Sequence, residues 1–217
     1  MSAPLSPVAC GTVVTCCDGR PIDLMDPRAE DISFEVIAHH LSGINRYNGA
    51  ARYSATGQPL YSVAEHCVRA ALATIAESGD KRLAAYVLLH DAHEAYLGDD
   101  VTPKKRAYAA IVASFGVLAE AATQAFIEHT DRFDRVIHAA AGLAWPPAAA
   151  TSRQVGHIDR VMLVTEWRDL MPCPPPFAVD VAALPQPIVP WRRDVARASF
   201  LAACEMLLPV FNAEAAP

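Results

Sequence analysis

Tyr86-Val87-Leu88-Leu89-His90-Asp91-Ala92-His93-Glu94-Ala95-Tyr96-Leu97-Gly98-Asp99 is an apolar run that passes without a break into four ionisable side chains before its glycine. It shows no strand alternation. Asp80 stands ahead of it as a helix cap and Gly98 after it as a stop, so a helix is expected over residues 81–97. Helical side chains lie about 100° apart, so with His90 at zero Asp91 falls near about 100° and Glu94 near about 40°. These three polar groups therefore share one sector beside a run that must be buried. His93 falls at about 300°, away from Asp91, and is the poorer partner. Buried imidazoles and carboxylates are costly unless a metal or a dense hydrogen-bond network compensates them.

The flanking segments read in the same way. Ser62-Val63-Ala64-Glu65 has the form of a capping box and opens a helix to about Ser78. Ser33 is expected to cap a short helix carrying Phe34, Ile37, Ala38 and Leu41. Further helices are expected over residues 103–128, 131–143, 152–171 and 192–208. Residues 43–60 read as an irregular loop, and residues 173–190 hold too many prolines for regular structure. At the start, a β-branched run, Asp18-Gly19 and a second short run predict a β hairpin over residues 11–25. The expected fold is a single all-α helical bundle over residues 1–217 with a short N-terminal β hairpin.

Composition bounds the function. Apolar residues make up 53% of the chain and the formal charge is −6, which argues for a packed core and against a duplex nucleic-acid binder. Nothing approaches the roughly 18 apolar residues of a membrane span. The start lacks a signal-peptide pattern, so no membrane and a cytoplasmic location are the expectation. Of the six cysteines, Cys16 and Cys17 are adjacent while Cys10, Cys67, Cys173 and Cys204 are scattered, and no C-x-x-C pair exists. Reduced thiols are expected, with Cys67 and Cys204 packed as small hydrophobes.

A His-Asp pair cannot complete a metal site alone. His66, just inside the capped helix, is the best upstream donor, and Asp159, in the amphipathic run after Ile158, the best downstream one. Two nitrogens and two oxygens suit borderline or harder divalent ions with positions left open for water and phosphate. Taken singly, each histidine fits a core residue bonded to backbone better than a ligand.

Tyr61-Ser62-Val63-Ala64-Glu65-His66, then the Leu88 to Asp99 string, then Thr102-Pro103-Lys104-Lys105, then Ile158-Asp159-Arg160 together resemble the HD-domain metal-dependent phosphohydrolases. The resemblance is greatest to the small branch of bacterial 5′-deoxynucleotidases and phage deoxyadenosine triphosphate triphosphohydrolases, and it spans residues 31–171. It implies a helical HD domain with one divalent metal ion (zinc, cobalt, manganese or magnesium) on His66, His90, Asp91 and Asp159. It also implies that Glu94 positions or deprotonates the attacking water. Arg46 and Tyr47 match the branch's Arg-aromatic pair near the scissile phosphate, and Lys105 matches a phosphate-contacting lysine. The implied substrate is a deoxynucleotide, mono- or triphosphate, and the implied assembly a homo-oligomer. The chain departs from the branch in having Tyr47 for the usual tryptophan, a longer loop before His66, and His93 where a small residue is usual.

Several side chains have bland readings. Lys104 and Arg106 suit a solvated helix start, and His157 points away from Asp159. Met162, Leu163 and Trp167 read as core. Asp99 caps a helix or holds Arg46. Glu166, seven residues after Asp159 and on nearly the same face, stands behind the donors or pairs with an arginine and is not expected as a ligand. Two other functions fit the pattern less closely. A binuclear HD phosphodiesterase of signalling nucleotides would draw on His129 and His138. A non-catalytic nucleotide-binding regulator would have no use for Glu94.

Overall fold

A computed structural model describes residues 11–51 and 60–212, an α-helical fold with a two-stranded hairpin at its start. Cys10, residues 52–59 of the expected loop and the first ten residues, on which the targeting expectation rests, lie outside the described residues.

The hairpin pairs β1 (Val13–Thr15) antiparallel with β2 (Pro21–Asp23), Val14 opposite Ile22. Asp18-Gly19 turns the chain within a three-residue loop. The Cys16 N–H donates to the Arg20 carbonyl and the Gly19 N–H to the Cys16 carbonyl, both 2.9 Å, with Gly19 at φ 82°.

The helical core is built on capped, apolar helices. α1 (Phe34–Leu41) starts at Ser33, whose hydroxyl accepts the Val36 N–H. α2 (Val63–Ser78) starts at Ser62, which accepts the Glu65 N–H at 3.2 Å. Only that half of the capping box forms: the Glu65 carboxylate accepts instead from Arg69 and from the Trp191 N–H. α3 (Lys81–Leu89) begins at Asp80, and every residue from Leu83 to Leu89 is buried, as expected of a helix enclosed on all sides. α8 (Arg193–Leu207) buries Ala196, Phe200, Ala203, Cys204 and Leu207 along one face and packs on α1, α2 and α3. Each such phenylalanine or leucine contributes about 1.5–3 kcal/mol on burial.

Two helix expectations are corrected. The helix over residues 81–97 is interrupted at residues 90–93 and resumes as α4 (Glu94–Leu97). There the bonds run from Ala92 N to Leu89 O, Glu94 N to Asp91 O and Ala95 N to Ala92 O, three residues back instead of four. This tighter winding spaces side chains by about 120°, so the angular reading made with 100° does not apply beyond His90. The break expected near residues 129–130 falls instead at residues 115–118, between α5 (Thr102–Ser114) and α6 (Ala119–Ala141). Gly116, at φ 79°, takes the left-handed conformation there, while the Thr130 hydroxyl folds back onto the Phe126 and Ile127 carbonyls and leaves α6 unbroken.

α7 (Ala149–Leu170) starts directly after Pro146-Pro147, three residues ahead of Ser152, since prolines are accommodated before a helix and in its first turn. Met162 is in the core, but Leu163 and Trp167 are only half-buried. Residues 173–190 form no helix or strand and are tied to α7: Thr165 accepts the Leu184 N–H, Asp169 accepts the Ile188 N–H, and Arg168 donates to the Leu184 and Gln186 carbonyls. α9 (Pro209–Asn212) adds a last turn. Among the described residues Cys16, Cys67 and Cys204 are buried, Cys17 and Cys173 exposed, and all five are free thiols. No described helix is long and apolar enough to cross a membrane.

Candidate metal centre

α2 packs on α3 and α7, and α3 on α7, so the first turn of α2, the end of α3 and the middle of α7 converge. They bring His66, His90, Asp91 and Asp159 together. His66 Nε2 lies 3.2 Å from His90 Nε2, 3.6 Å from Asp91 Oδ2 and 3.4 Å from Asp159 Oδ1. His90 Nε2 lies 3.3 Å from Asp91 Oδ2 and 3.6 Å from Asp159 Oδ1. Donors about 2.1 Å from one cation are about 3.4 Å apart in a tetrahedron and about 3.0 Å apart across an octahedral right angle. Donor atoms of His66, His90 and Asp91 all lie within 4.8 Å of one another and could hold one ion, while Asp159 Oδ1 faces both imidazoles from α7. His66 is fully enclosed while the Asp159 side chain is 45% exposed, so the cluster is closed behind and open on the α7 side.

The hydrogen bonds on the far side of each ring define the chemistry. His90 Nδ1–H donates to the Val87 carbonyl at 2.7 Å, and His66 Nδ1–H donates to Glu166 Oε1 at 2.5 Å. With Nδ1 the protonated nitrogen, each neutral ring presents an Nε2 lone pair, and the two lone pairs face each other. Such a pair, with two carboxylate oxygens beside it, favours positive charge there, either a proton on a ring nitrogen or a cation between the rings. The donor set and the arrangement behind it fit a divalent metal ion.

In the metal-free chain the carboxylates draw protons onto the imidazoles, which a bound cation would displace. Burial, with Arg46 for His66, acts to lower both imidazoles, but Glu166 and Asp159 outweigh this at His66, and Asp91 and Asp159 at His90, so both titrate above the ordinary range. Burial alone would raise Asp91, yet His90, Arg46 and His66 hold it below the usual value, and Asp159 is held low by both histidines. For Glu94 burial wins: burial first, then Asp91 and Asp99, push its carboxyl up to about 9. Glu94 is buried, and its Oε2 has no hydrogen-bond partner among the described residues.

The other predicted residues take various positions. Arg46 Nη1 donates to Asp91 Oδ2 at 2.9 Å, and its Nε lies 3.5 Å from Glu166. Tyr47 donates its hydroxyl to Glu166 Oε2 at 2.5 Å. Tyr47 and Asn48 are non-glycine residues at φ 57° and 52°, a conformation that costs about 1–3 kcal/mol each. Lys105 is half-buried and bears electrostatically on Asp99. With Thr102, Arg106, Phe126 and Thr130 it lines a cavity of about 480 Å³ between α5 and α6. Lys104 pairs with Asp100, and His157 is exposed. Asp99 neither caps α5, whose cap is Val101, nor holds Arg46, which bonds to Asp91. His93 donates to Asp134 at 3.0 Å, tying the tight turn to α6. His129 and His138 bond to the Leu24 and Asp134 carbonyls and stand apart from the cluster.

Glu166 is the functional side chain that sequence reasoning left without a definite partner. It is fully buried, and although burial alone would raise it, His66 and Arg46 hold its carboxyl below the usual range. Its position two turns beyond Asp159 was a usable signal; its bond to His66 was not visible in the sequence. The Val87 carbonyl, as backbone, left no signal at all.

No family model matches the sequence. An uncharacterised protein of Rhodobacter capsulatus is 34% identical over 145 residues, which cover 66% of this chain. The matched stretch is 65% of that relative's length, just under two thirds of it.

Proposed function

We propose that the chain is a divalent-metal-dependent phosphohydrolase of the HD-domain type, acting on deoxynucleotides with water as the nucleophile. The reading is carried by one observation: the facing Nε2 atoms of His66 and His90, 3.2 Å apart, with both Nδ1 atoms already committed as donors. His66, His90, Asp91 and Asp159 would hold the ion. Lewis acidity is what it supplies when bound, acting on a phosphoryl oxygen and on the acidity of the attacking water.

The chain's own residues supply the rest. Arg46 bonds to Asp91 Oδ2 and so fixes that carboxylate beside the imidazoles. Glu94 takes the proton from the attacking water through its unpartnered Oε2. Burial is the first cause of its raised pKa and the Asp91 charge the second, and a cation on Asp91 would offset the second. Lys105 is the cation for an equatorial phosphate oxygen. A homo-oligomer belongs to the same reading and rests on the sequence resemblance.

The test is a panel of deoxy- and ribonucleoside mono- and triphosphates with zinc, cobalt, manganese or magnesium, following nucleoside and phosphate release. Metal-dependent release from deoxynucleotides supports the reading. Binding without release would favour the regulator, and two metal ions per chain the binuclear phosphodiesterase.

A further inference from the structure

We propose that Tyr47 acts on the metal centre and not on the substrate: its hydroxyl fixes Glu166, and Glu166 fixes the His66 imidazole. The inference rests on the metal-centre reading above and assigns a positioning role within it.

Three observations carry it. First, the hydroxyl is used up. It donates to Glu166 Oε2 at 2.5 Å, while Oε1 of the same fully buried carboxylate accepts from His66 Nδ1 at 2.5 Å. A carboxylate behind a ligating histidine sets the ring's tautomer and direction, and a donor on its other oxygen stops that carboxylate from rotating. Second, the ring is boxed in. It meets Trp167 edge-on with centroids 5.7 Å apart, and Trp167 is itself held by Phe177 at 5.2 Å and by an indole bond to the Cys173 carbonyl.

Third, the backbone is bent to deliver it. Tyr47 and Asn48 adopt left-handed conformations that non-glycine residues avoid, followed by Gly49 at φ 76°. The segment before them is tied to the start of α2. Arg46 N–H donates to the Tyr61 carbonyl and Val63 N–H to the Ile44 carbonyl, both 3.0 Å, with Asn45 bridged to Ser62. The same strand-like tie thus positions His66 from below and its orienting chain from the side. The adjacent Arg46 reaches Asp91, so two consecutive residues hold two different donors of one cluster.

The experiment titrates Co2+ into chelator-stripped wild-type, Tyr47→Phe, Glu166→Gln and the double variant, reading affinity and the visible d–d spectrum, then compares KM for a deoxynucleotide. Tyr47→Phe keeps the ring and its Trp167 contact. Expected are a loss of cobalt affinity of about 10–100-fold for Glu166→Gln and of about tenfold for Tyr47→Phe, each with an altered spectrum. The double variant should be no weaker than Glu166→Gln, since the proposed path from the Tyr47 hydroxyl to the imidazole runs through that carboxylate and the phenylalanine keeps the ring beside Arg46, and KM should stay unchanged. A Tyr47→Phe chain with wild-type affinity and spectrum but a raised KM overturns the inference, as do losses that multiply in the double variant. A wild-type chain that takes up no cobalt overturns the metal centre itself.

Discussion

His66 and His90 meet Nε2 to Nε2 at 3.2 Å, each ring anchored from behind, one by the Glu166 carboxylate and the other by the Val87 carbonyl. Neither ring can turn away without giving up a buried hydrogen bond, so the site is organised before any cation arrives. Preorganisation of this kind lets binding free energy go into holding the ion rather than into ordering side chains.

Glu94 is assigned to the water and not to the ion. Glu94→Ala should therefore retain metal stoichiometry while lowering kcat by about 10²–10⁴-fold, the usual contribution of a general base. Metal analysis beside steady-state kinetics checks this, and normal turnover in the variant would remove Glu94 from its role.

The same side chain predicts a pH dependence of stability in the metal-stripped chain. Its carboxyl is pushed from an ordinary 4.5 up to about 9 by burial first, then by Asp91 and Asp99. Between those values the folded state keeps a proton that the unfolded chain has released, so stability falls as pH rises, by at most about 1.4 kcal/mol per unit from this group. Below the window both states hold the proton, and above it neither does. Urea unfolding at several pH values should show a shallower fall for Glu94→Gln than for wild-type; parallel profiles would contradict the burial argument.

Much of this was legible in the sequence, and the exceptions have physical causes. Ser33, Ser62 and Asp80 are short polar side chains that cap helices locally, and each accepts the N–H expected of it. The interruption after Leu89 was hidden, because i to i−3 bonding needs no glycine or proline to mark it. The α5–α6 boundary was misplaced: the Thr130 hydroxyl bonds back to its own helix, and the break falls at Gly116. His66, His90 and Asp91, which the structure brings together, could be picked out because one follows a capping serine and the other two end an apolar run. Glu166 was placed behind the donors, but its bonds to His66 and Tyr47 were not legible, since it is 100 residues from His66 and 119 from Tyr47 along the chain.

Lys105 carries no ion-pair partner among the described residues and lies beside Asp99 near the α5 start. Lys105→Ala should raise KM by roughly tenfold with kcat little changed, and more for a triphosphate than a monophosphate. Equal KM values for the two substrate classes, both unaltered by the substitution, would exclude a phosphate contact.

Phe200 is fully buried on α8 where that helix packs against α1, α2 and α3. Phe200→Ala should cost about 3–5 kcal/mol, read as a lower urea midpoint at constant slope. A loss under about 1 kcal/mol would show that the site collapses to fill the space or is not part of the core.

The most direct test of the central claim is calorimetric titration of zinc or manganese into the chelator-stripped chain, with His66→Ala and His90→Ala alongside. One ion per chain in the wild type, and none in either variant while helical content is retained, is the predicted result. Two ions per chain, no uptake, or uptake unaffected by either substitution would contradict it.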